Sequence, residues 1–409
     1  MSREWNIKDF GAVGDGVFVN TNCINDAIKQ CALNGGGKVV VPQGTFVTGS
    51  IEMQSNVCLY LEMGAELKSS GNPDDFPTNG FYHNEMGYVT SLIWAIDKEN
   101  ISICGDGKID ISSEITYKGY EKEFYLVDKS LLSPERLDEG IYPKNESRVN
   151  QPIFFENCTS LTVKDLKIVN STCWTVVFSN CSDIHVKSLT INNDMCVQND
   201  DGIHFSACRD AVVSDCNICC ADDCIAMTCI THVDGINRNI VINNCNFCTR
   251  SAAVRIAHNL DGLCISNINV YNSNRGIGIF THDNSTISNV NISNIRLQTA
   301  LLAGAWWGKA EPLIISAAAK NSLIQNVSVS DISGIGENGI VIYGENHNVH
   351  NLSLSNIKFM VKKTDYFHTY CTGLDLRPYK EIEDHNGPYL LDIRGVGDIS
   401  LNNVSIDFE

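Results

Sequence analysis

The sequence predicts an all-β fold, a single-stranded right-handed parallel β-helix with a short N-terminal capping helix. Three observations predict it: a recurring strand unit, a polar residue at the bend of each unit, and a helical segment near the N-terminus. The units start at residues 161, 184, 211, 240, 263 and 287, with separations of 23, 27, 29, 23 and 24 residues. Such a unit is too short to close its own core, so its apolar side chains must stack on the next copy.

Each unit is a β-rich run interrupted by Asn, Asp or Ser, the polar residue that we place at a bend between strands. An antiparallel sandwich is the alternative, but it requires hairpin turns between neighbouring strands, whereas these strands recur once per coil. The copies are Leu161–Val169, Ile184–Ile191, Ala211–Ile218, Ile240–Phe247, Leu263–Val270, Ile287–Ile292, Ile324–Val329, Val349–Leu354 and Ile399–Ile406.

The N-terminal part has a different pattern. Asn25–Leu33 shows helical spacing of apolar residues, and Gly35–Gly37 ends the helix before a strand that starts at Lys38. We expect this helix to cover the open end of the solenoid within one domain, residues 1–409, of which 1–70 form the cap and first coils. Insertions at 113–150 and 361–390 are expected to wall a cleft.

Composition narrows the classes of partner. The 409 residues carry a net charge of -18, and 43% are hydrophobic, which disfavours disorder. The acidic excess disfavours nucleic acid, because that binding depends on basic residues that meet phosphates. With no targeting segment and no apolar run of membrane-spanning length, we expect a cytoplasmic protein without membrane contact. The oligomeric state stays open.

The cysteines are expected to be reduced and mostly structural. There are eighteen of them, many in strand or turn positions. Cys219-Cys220 and Cys245/Cys248 leave a zinc site as an alternative, which is disfavoured because no second pair lies at finger-like spacing.

Three carboxylates are the candidates for catalysis. Asp201 lies in Asn199–Gly202, and the adjacent pair Asp222-Asp223 lies in Ala221–Cys224. Asp201 and Asp222 are 21 residues apart, about one coil, so we expect these two on stacked strands. Like charges held together raise a pKa and leave a proton donor beside ionised carboxylates, the division of labour that glycosidic hydrolysis needs without metal or cofactor. A bend must bring Asp222 and Asp223 to the same side. A calcium site and plain surface charge are the alternatives.

These motifs resemble the polygalacturonase family, glycoside hydrolase family 28. The opening segments 6–16, 35–46 and 59–67 resemble those of related β-helix enzymes, and Asn199–Ile203 with Ala221–Ala226 is more specific to this family. The resemblance implies an inverting mechanism, in which Asp222 is the general acid while Asp201 and Asp223 position and deprotonate the water.

Two departures from the family pattern fall at substrate-binding positions. Ser251 stands where the family has His, and Gly278-Ile279-Phe280 stands where it has Arg-Ile-Lys. The loss of two cations leaves an apolar surface at Phe280 in place of a grip on a uronic acid. Candidate substrate contacts, for each of which a structural role is the alternative, are Arg250, Arg255, His258, Arg275, Phe280, His282, Trp174 and Trp307.

The residues and the resemblance together predict an inverting glycoside hydrolase. We expect exo action on pectin-related or other plant-derived oligosaccharides, with altered -1 and +1 subsites. A calcium-dependent polysaccharide lyase and a non-catalytic carbohydrate-binding β-helix are the alternatives.

Overall fold

Two parallel sheets coil around a common core. The structure is a computed structural model, and it describes residues 4–113, 120–121, 142–143, 149–195, 197, 199–232, 234–302, 308–364, 374–376, 381–382 and 388–409. Within these ranges, every strand pair of the two sheets is parallel. In each sheet, a strand of one coil pairs with the corresponding strand of the next coil along the axis. The right-handed parallel β-helix predicted from the repeats is confirmed.

Sheet A forms one face of the solenoid and carries the candidate site. Among the described residues its strands are Ile51–Glu52, Ile93–Ile96, Ile153–Glu156, Val176–Ser179, Ile203–Ser206, Ile225–Thr228, Ala252–Ala257, Arg275–Phe280, Leu313–Ala317, Ile340–Gly344 and Leu391–Arg394.

Sheet B wraps the remaining sides of the coil. Among the described residues its strands are Glu4–Asn6, Asp15–Val19, Gly37–Val41, Gly44–Thr48, Val57–Leu61, Ala65–Ser69, Glu99–Gly105, Lys108–Asp110, Thr159–Lys164, Lys167–Val169, Ser182–Lys187, Thr190–Asn192, Arg209–Ser214, Asn217–Cys220, Asn237–Thr249, Leu260–Ser273, Thr286–Thr299, Leu323–Gly336, Val349–Val361 and Ile399–Phe408.

In-register stacking of identical side chains builds the core. Phe155, Phe178 and Phe205 occupy the same position of successive sheet A strands, and neighbouring ring centroids lie 5.4 Å apart, nearly parallel. All three side chains are fully buried. Since side chains alternate along a strand, the residues directly before and after each of these phenylalanines point outward, onto the outer face of sheet A.

Asparagine occupies the bends within sheet B. Asn244, Asn267 and Asn294 have φ near +56°, +57° and +55°, the left-handed conformation that Asn tolerates better than most residues. The Asn267 amide donates to Asn244 at 3.1 Å, and the Asn294 amide donates to Asn267 at 2.7 Å. The predicted polar residue at the bend is therefore confirmed, and it also links successive coils.

The helix Thr21–Leu33 covers the N-terminal end of the core. It starts four residues before the predicted segment, and it buries Ile24, Ala27, Ile28 and Cys31. No helix in the described ranges is long and apolar enough to cross a membrane.

Two groups of side chains cover the outer face of sheet A on either side of its middle coils. On the N-terminal side, the hairpin of strands Thr78–His83 and Gly87–Thr90 packs on Phe154 and Val177. On the C-terminal side, Leu374, Leu376 and Tyr389 pack on Ile314 and Val341. The hairpin was not predicted from the sequence. Most of the two predicted insertions, 113–150 and 361–390, lies outside the described residues.

Candidate active site

Asp201 and Asp223 occupy equivalent places in successive coils. Each lies two residues before the start of a sheet A strand, and the Gly202 N–H donates to the Asp223 carbonyl oxygen at 2.9 Å. A side chain at Gly202 would put its Cβ 2.5 Å from the Cys224 carbonyl oxygen, so glycine permits this close approach of the two coils. The acidic residues therefore lie on stacked coils as expected, but the direct neighbour of Asp201 is Asp223 rather than Asp222, because the offset between the two strands is 22 residues rather than 21.

A bend at Ala221 and Asp222 precedes the strand Ile225–Thr228. Because of this bend, the adjacent residues Asp222 and Asp223 do not follow the alternation of a strand. The buried Asp200 carboxylate shapes this bend, because its Oδ1 accepts the N–H groups of Ala221 at 2.7 Å and Asp222 at 3.0 Å. Burial raises the pKa of Asp200 well above its usual range. Asp200 is a supporting residue that the sequence placed within the motif but did not single out.

Asp223 accepts two hydrogen bonds and lies beside a cation. Ser251 Oγ and the Ala252 N–H donate to Asp223 Oδ1 at 2.8 and 3.0 Å, and Arg255 Nη1 lies 3.5 Å from Oδ2. Hydrogen bonds and a cation that meet a carboxylate stabilise its anion. Ser251, which replaces the family's histidine, thus serves the carboxylate cluster directly.

Asp222 combines a raised pKa with partial exposure. Burial, followed by repulsion from Asp201 and Asp223, raises the pKa of Asp222 well above its usual range, although Arg255 opposes the shift. Its Oδ1 accepts the Asp223 N–H at 3.0 Å. Asp222 is also more exposed than Asp201 and Asp223, which are 2% and 1% exposed. Asp222 is therefore the most exposed carboxyl group of the three, and it holds its proton more strongly than an ordinary aspartate.

Asp201 lies beside a histidine that the sequence did not indicate. Burial, then repulsion from Asp223, raises the pKa of Asp201 well above its usual range. His204 Nδ1 lies 3.3 Å from Asp201 Oδ2, and the His204 ring stacks on Trp174 with centroids 3.9 Å apart.

Comparison of the chain with known proteins identifies its family. The family described as rhamnogalacturonase A/epimerase, pectate lyase-like, matches residues 5–279. The chain belongs to this family. The resemblance to polygalacturonases that the sequence motifs indicated is confirmed by similar proteins of that kind.

Three relatives show how far this similarity extends. A probable polygalacturonase of Vitis vinifera is 25% identical over 54% of this chain and 43% of its own length. An exo-poly-alpha-D-galacturonosidase of Dickeya chrysanthemi is 38% identical over 26% of this chain and 19% of its own length. This chain thus spans less than half of either curated relative. An exopolygalacturonase structure from Thermotoga maritima shares the fold, with a TM-score of 0.69 at 19% identity, covering 89% of this chain and 88% of that one.

Of the predicted cations, Arg255 reaches the carboxylate cluster of this polygalacturonase-like chain. Arg275 instead forms a buried ion pair with Glu311, with 3.2 Å between Arg275 Nε and Glu311 Oε2. Arg250 is 9% exposed and directly precedes Ser251. The contact of Arg250, Arg255 or Arg275 with a sugar stays a prediction, and the burial of Arg275 favours its structural role.

Two predicted aromatic contacts are covered by protein. Phe280 is 2% exposed and packs with Ile314 and Val341, so it presents no surface to a sugar in the described structure, contrary to expectation. Its ring also covers Gly278, where an added Cβ would lie 2.4 Å from it. Trp174 is 4% exposed, which favours the packing interpretation. Trp307 lies outside the described residues.

His258 and His282 form a stacked pair at the ends of neighbouring sheet A strands. Their ring centroids lie 3.7 Å apart, and burial lowers the pKa of His258 to about 3 and of His282 to about 4. Both imidazoles are therefore neutral near pH 7. Within the described part of the chain, no group of three or more His, Cys, Asp and Glu side chains is arranged to hold a metal ion, and all its cysteines are free thiols.

Proposed function

We propose that this chain is an inverting, exo-acting hydrolase of pectin-derived oligosaccharides. The observation that carries the proposal is the contrast between Asp222 and Asp223, which share one site. Burial and the neighbouring carboxyl groups raise the pKa of Asp222, which suits it to donate a proton, whereas Ser251 and Ala252 donate hydrogen bonds to Asp223 and Arg255 lies beside it. Inverting glycosidases need such a pair, an acid for the leaving oxygen and a base for water.

The proposed reaction assigns one step to each carboxyl group. Asp222 gives its proton to the glycosidic oxygen as the bond from that oxygen to the anomeric carbon breaks. Water forms the new bond to the anomeric carbon from the opposite face and gives a proton to Asp223. Asp201 holds the same water by accepting its second hydrogen. The product then carries the inverted configuration.

The protein cover on both sides of the middle coils of sheet A supports exo action. Between the hairpin and the cluster around Tyr389, four coils present the outward residues His204, Ala226, Arg255 and Gly278. Trp174 covers the buried His204 and the Phe280 ring covers Gly278, and since neighbouring strands lie about 4.8 Å apart, the stretch between these two covers is about 10 Å long. A groove of that length with covered ends accommodates a short oligosaccharide or a chain end more readily than the middle of a polymer.

Arg255 supports an acidic sugar as substrate. Its outward position is the register neighbour of Gly278, the residue that replaces the first cation of the family's Arg-Ile-Lys. Arg255 is 17% exposed, so its guanidinium reaches the groove while it contacts Asp223. A positive charge thus remains in the groove, shifted by one coil, and can attract a uronate carboxylate.

The test is a product analysis with purified protein. The protein is incubated with oligogalacturonides, rhamnogalacturonan-derived oligosaccharides and neutral oligosaccharides. The products are separated by anion-exchange chromatography, and their masses are measured by mass spectrometry. The proposal expects a small product released from one end of an acidic substrate. Unsaturated products that absorb ultraviolet light would indicate a lyase, and binding without any product would indicate a carbohydrate-binding protein. Either result contradicts the proposal.

A further inference from the structure

Two cysteines from separate motifs of the sequence meet on the outer face of sheet B. Cys219 and Cys248 lie on neighbouring strands, and the parallel register pairs them directly. Ile218 and Phe247, the residues before them, are buried in the core, so the alternation along each strand turns both thiols outward. The two thiols therefore lie side by side on one face, and both are free.

A methionine brings a third sulfur to this pair. Met195 lies in a turn that follows the strand Thr190–Asn192, and its Sδ is 3.6 Å from Cys219 Sγ. Sulfur atoms that bind one metal ion lie about 4 Å apart, because each metal–sulfur bond is about 2.3 Å long. The distance from Met195 to Cys219 is close to this value. The strand spacing of about 4.8 Å also lets the Cys219 and Cys248 thiols approach it.

The backbone that carries the two thiols is held in place. Cys220 and Thr249, the residues that follow them, both donate a hydrogen bond to the Asp222 carbonyl oxygen, Cys220 from Sγ at 3.1 Å and Thr249 from Oγ1. This shared acceptor links the ends of the two strand segments. Ligands that are positioned before an ion arrives lose less conformational freedom when it binds.

The chemical state of Cys219 also suits a metal ligand. The adjoining Cys248 thiol lowers the pKa of Cys219 to about 7, although burial opposes the shift. The thiolate is the form that binds metals, so a large part of Cys219 is ready to bind at neutral pH. Cys219 is partly exposed, whereas Cys248 is 6% exposed, so an ion reaches the pair from the side of Cys219.

The three sulfur donors favour a soft cation. Structural zinc sites have four ligands from cysteine, histidine and carboxylates, and the described residues hold no group of three such side chains arranged for a metal ion. Calcium and magnesium bind oxygen ligands. Cu(I) instead prefers thiolate and thioether sulfur, the donors that two cysteines and a methionine supply.

We propose that Met195, Cys219 and Cys248 form a binding site for one Cu(I) ion on sheet B, separate from the carboxylate cluster. The ion takes no part in hydrolysis, so the inference does not depend on the proposed function. On binding, the two thiol sulfurs exchange their protons for bonds to Cu(I), and the protons pass to solvent. No electron is transferred, because the copper is supplied in its reduced state.

NMR of protein labelled with methyl-¹³C methionine tests this site directly. The chain has seven methionines, so the six other methyl signals are internal references. Without oxygen, one equivalent of Cu(I) should shift the Met195 methyl signal, which is assigned by its loss in Met195→Leu. Uptake of Cu(I) is measured as the loss of colour of its bicinchoninate complex. No uptake, or uptake without a shift of the Met195 signal, would overturn the proposal.

Substitution of the thiols separates this site from the other cysteines. In Cys219→Ser and in Cys248→Ser, one equivalent of Cu(I) should no longer shift the Met195 signal. Cys58→Ser is the matched control, since it removes one thiol of a second pair, Cys58 and Cys104, whose sulfurs lie 3.2 Å apart, and it should keep the shift. The six other methionine signals show that each variant is folded. A shift that survives in Cys219→Ser, or an equal shift with Zn(II), contradicts the proposed Cu(I) site.

Discussion

At the residue scale, the division of labour in the carboxylate cluster makes a clear prediction. Asp222→Asn keeps the shape of the side chain but removes the acid, so kcat should fall by at least about 100-fold with little change in unfolding temperature. Asp183→Asn, at an exposed position outside the site, is the matched control and should retain full activity. Full activity in Asp222→Asn contradicts the assigned acid.

The buried pair Arg275–Glu311 makes a prediction about stability rather than chemistry. Glu311 is fully buried and Arg275 is 2% exposed, so Glu311→Gln removes the negative charge that faces a buried cation. We expect the free energy of unfolding to fall by about 3 kcal/mol. The exposed pair of Arg238 and Asp261 provides the control, since Arg238→Gln should cost less than about 1 kcal/mol. Urea unfolding of both variants measures the difference.

The sequence indicated the acidic residues of the site but not their supporting partners. Asp201, Asp222 and Asp223 could be predicted because they form compact motifs one coil apart. Ser251 could not be assigned to Asp223, because a partner on another coil depends on register. His204 lies only three residues after Asp201, and the backbone between them decides whether their side chains meet. The offset between stacked residues is 22 from Ile203 to Ile225 and 29 from Ile225 to Val254, and irregular loops set these values.

At the element scale, the hairpin Thr78–Thr90 is expected to set the cleavage pattern. Replacement of residues 79–89 by a short glycine-serine link should uncover Phe154 and Val177 and open one end of the groove. Chromatography of products from a long oligogalacturonide should then show internal cleavage beside end release. A variant with serine at the exposed residues Tyr82 and Tyr88 keeps the hairpin and should keep the wild-type pattern. An unchanged pattern after the replacement contradicts the role of the hairpin in exo action.

The stacked histidines at the strand ends predict a pH dependence of stability. Unfolded histidine takes up a proton near pH 6.5, whereas His258 and His282 in the fold do so only near pH 3 and 4. The unfolded state therefore binds more protons in this window, and stability falls as pH drops below about 6.5.

A double variant isolates that contribution. His258→Asn with His282→Asn should lose less stability than the wild type between about pH 7 and about pH 5 in urea unfolding. Asparagine suits the positive φ of residue 258. His185→Asn, at an exposed position, serves as the control. Equal losses in the double variant and the wild type contradict the contribution of the pair.

The hairpin illustrates what the sequence could not indicate at this scale. Residues 78–90 carry aromatic and polar side chains without a strong alternation, and two of the aromatics, Tyr82 and Tyr88, are exposed. Its packing depends on Phe154 and Trp174, which lie far along the chain. In contrast, the capping helix follows from local apolar spacing, and it forms where that spacing predicts it.

At the scale of the whole molecule, one stacking rule accounts for both fold and site. The repeated unit predicts the solenoid because each copy lacks a core of its own, and the stacked Phe155, Phe178 and Phe205 confirm this reasoning. The same rule brings Asp201 over Asp223, since whatever occupies equivalent positions of successive coils becomes a neighbour. At the site the same stacking brings carboxyl groups together ahead of the sheet A strands, where they repel each other.

Proton NMR of an α-linked oligogalacturonide during cleavage tests this account most directly. If Asp222 acts as acid while Asp223 activates water on the opposite face, the newly formed reducing end appears first as the β anomer and then mutarotates. The Asp222→Asn variant should show neither signal on the same timescale. First appearance of the α anomer, or of an unsaturated sugar, would contradict the proposed division of labour among the three carboxyl groups.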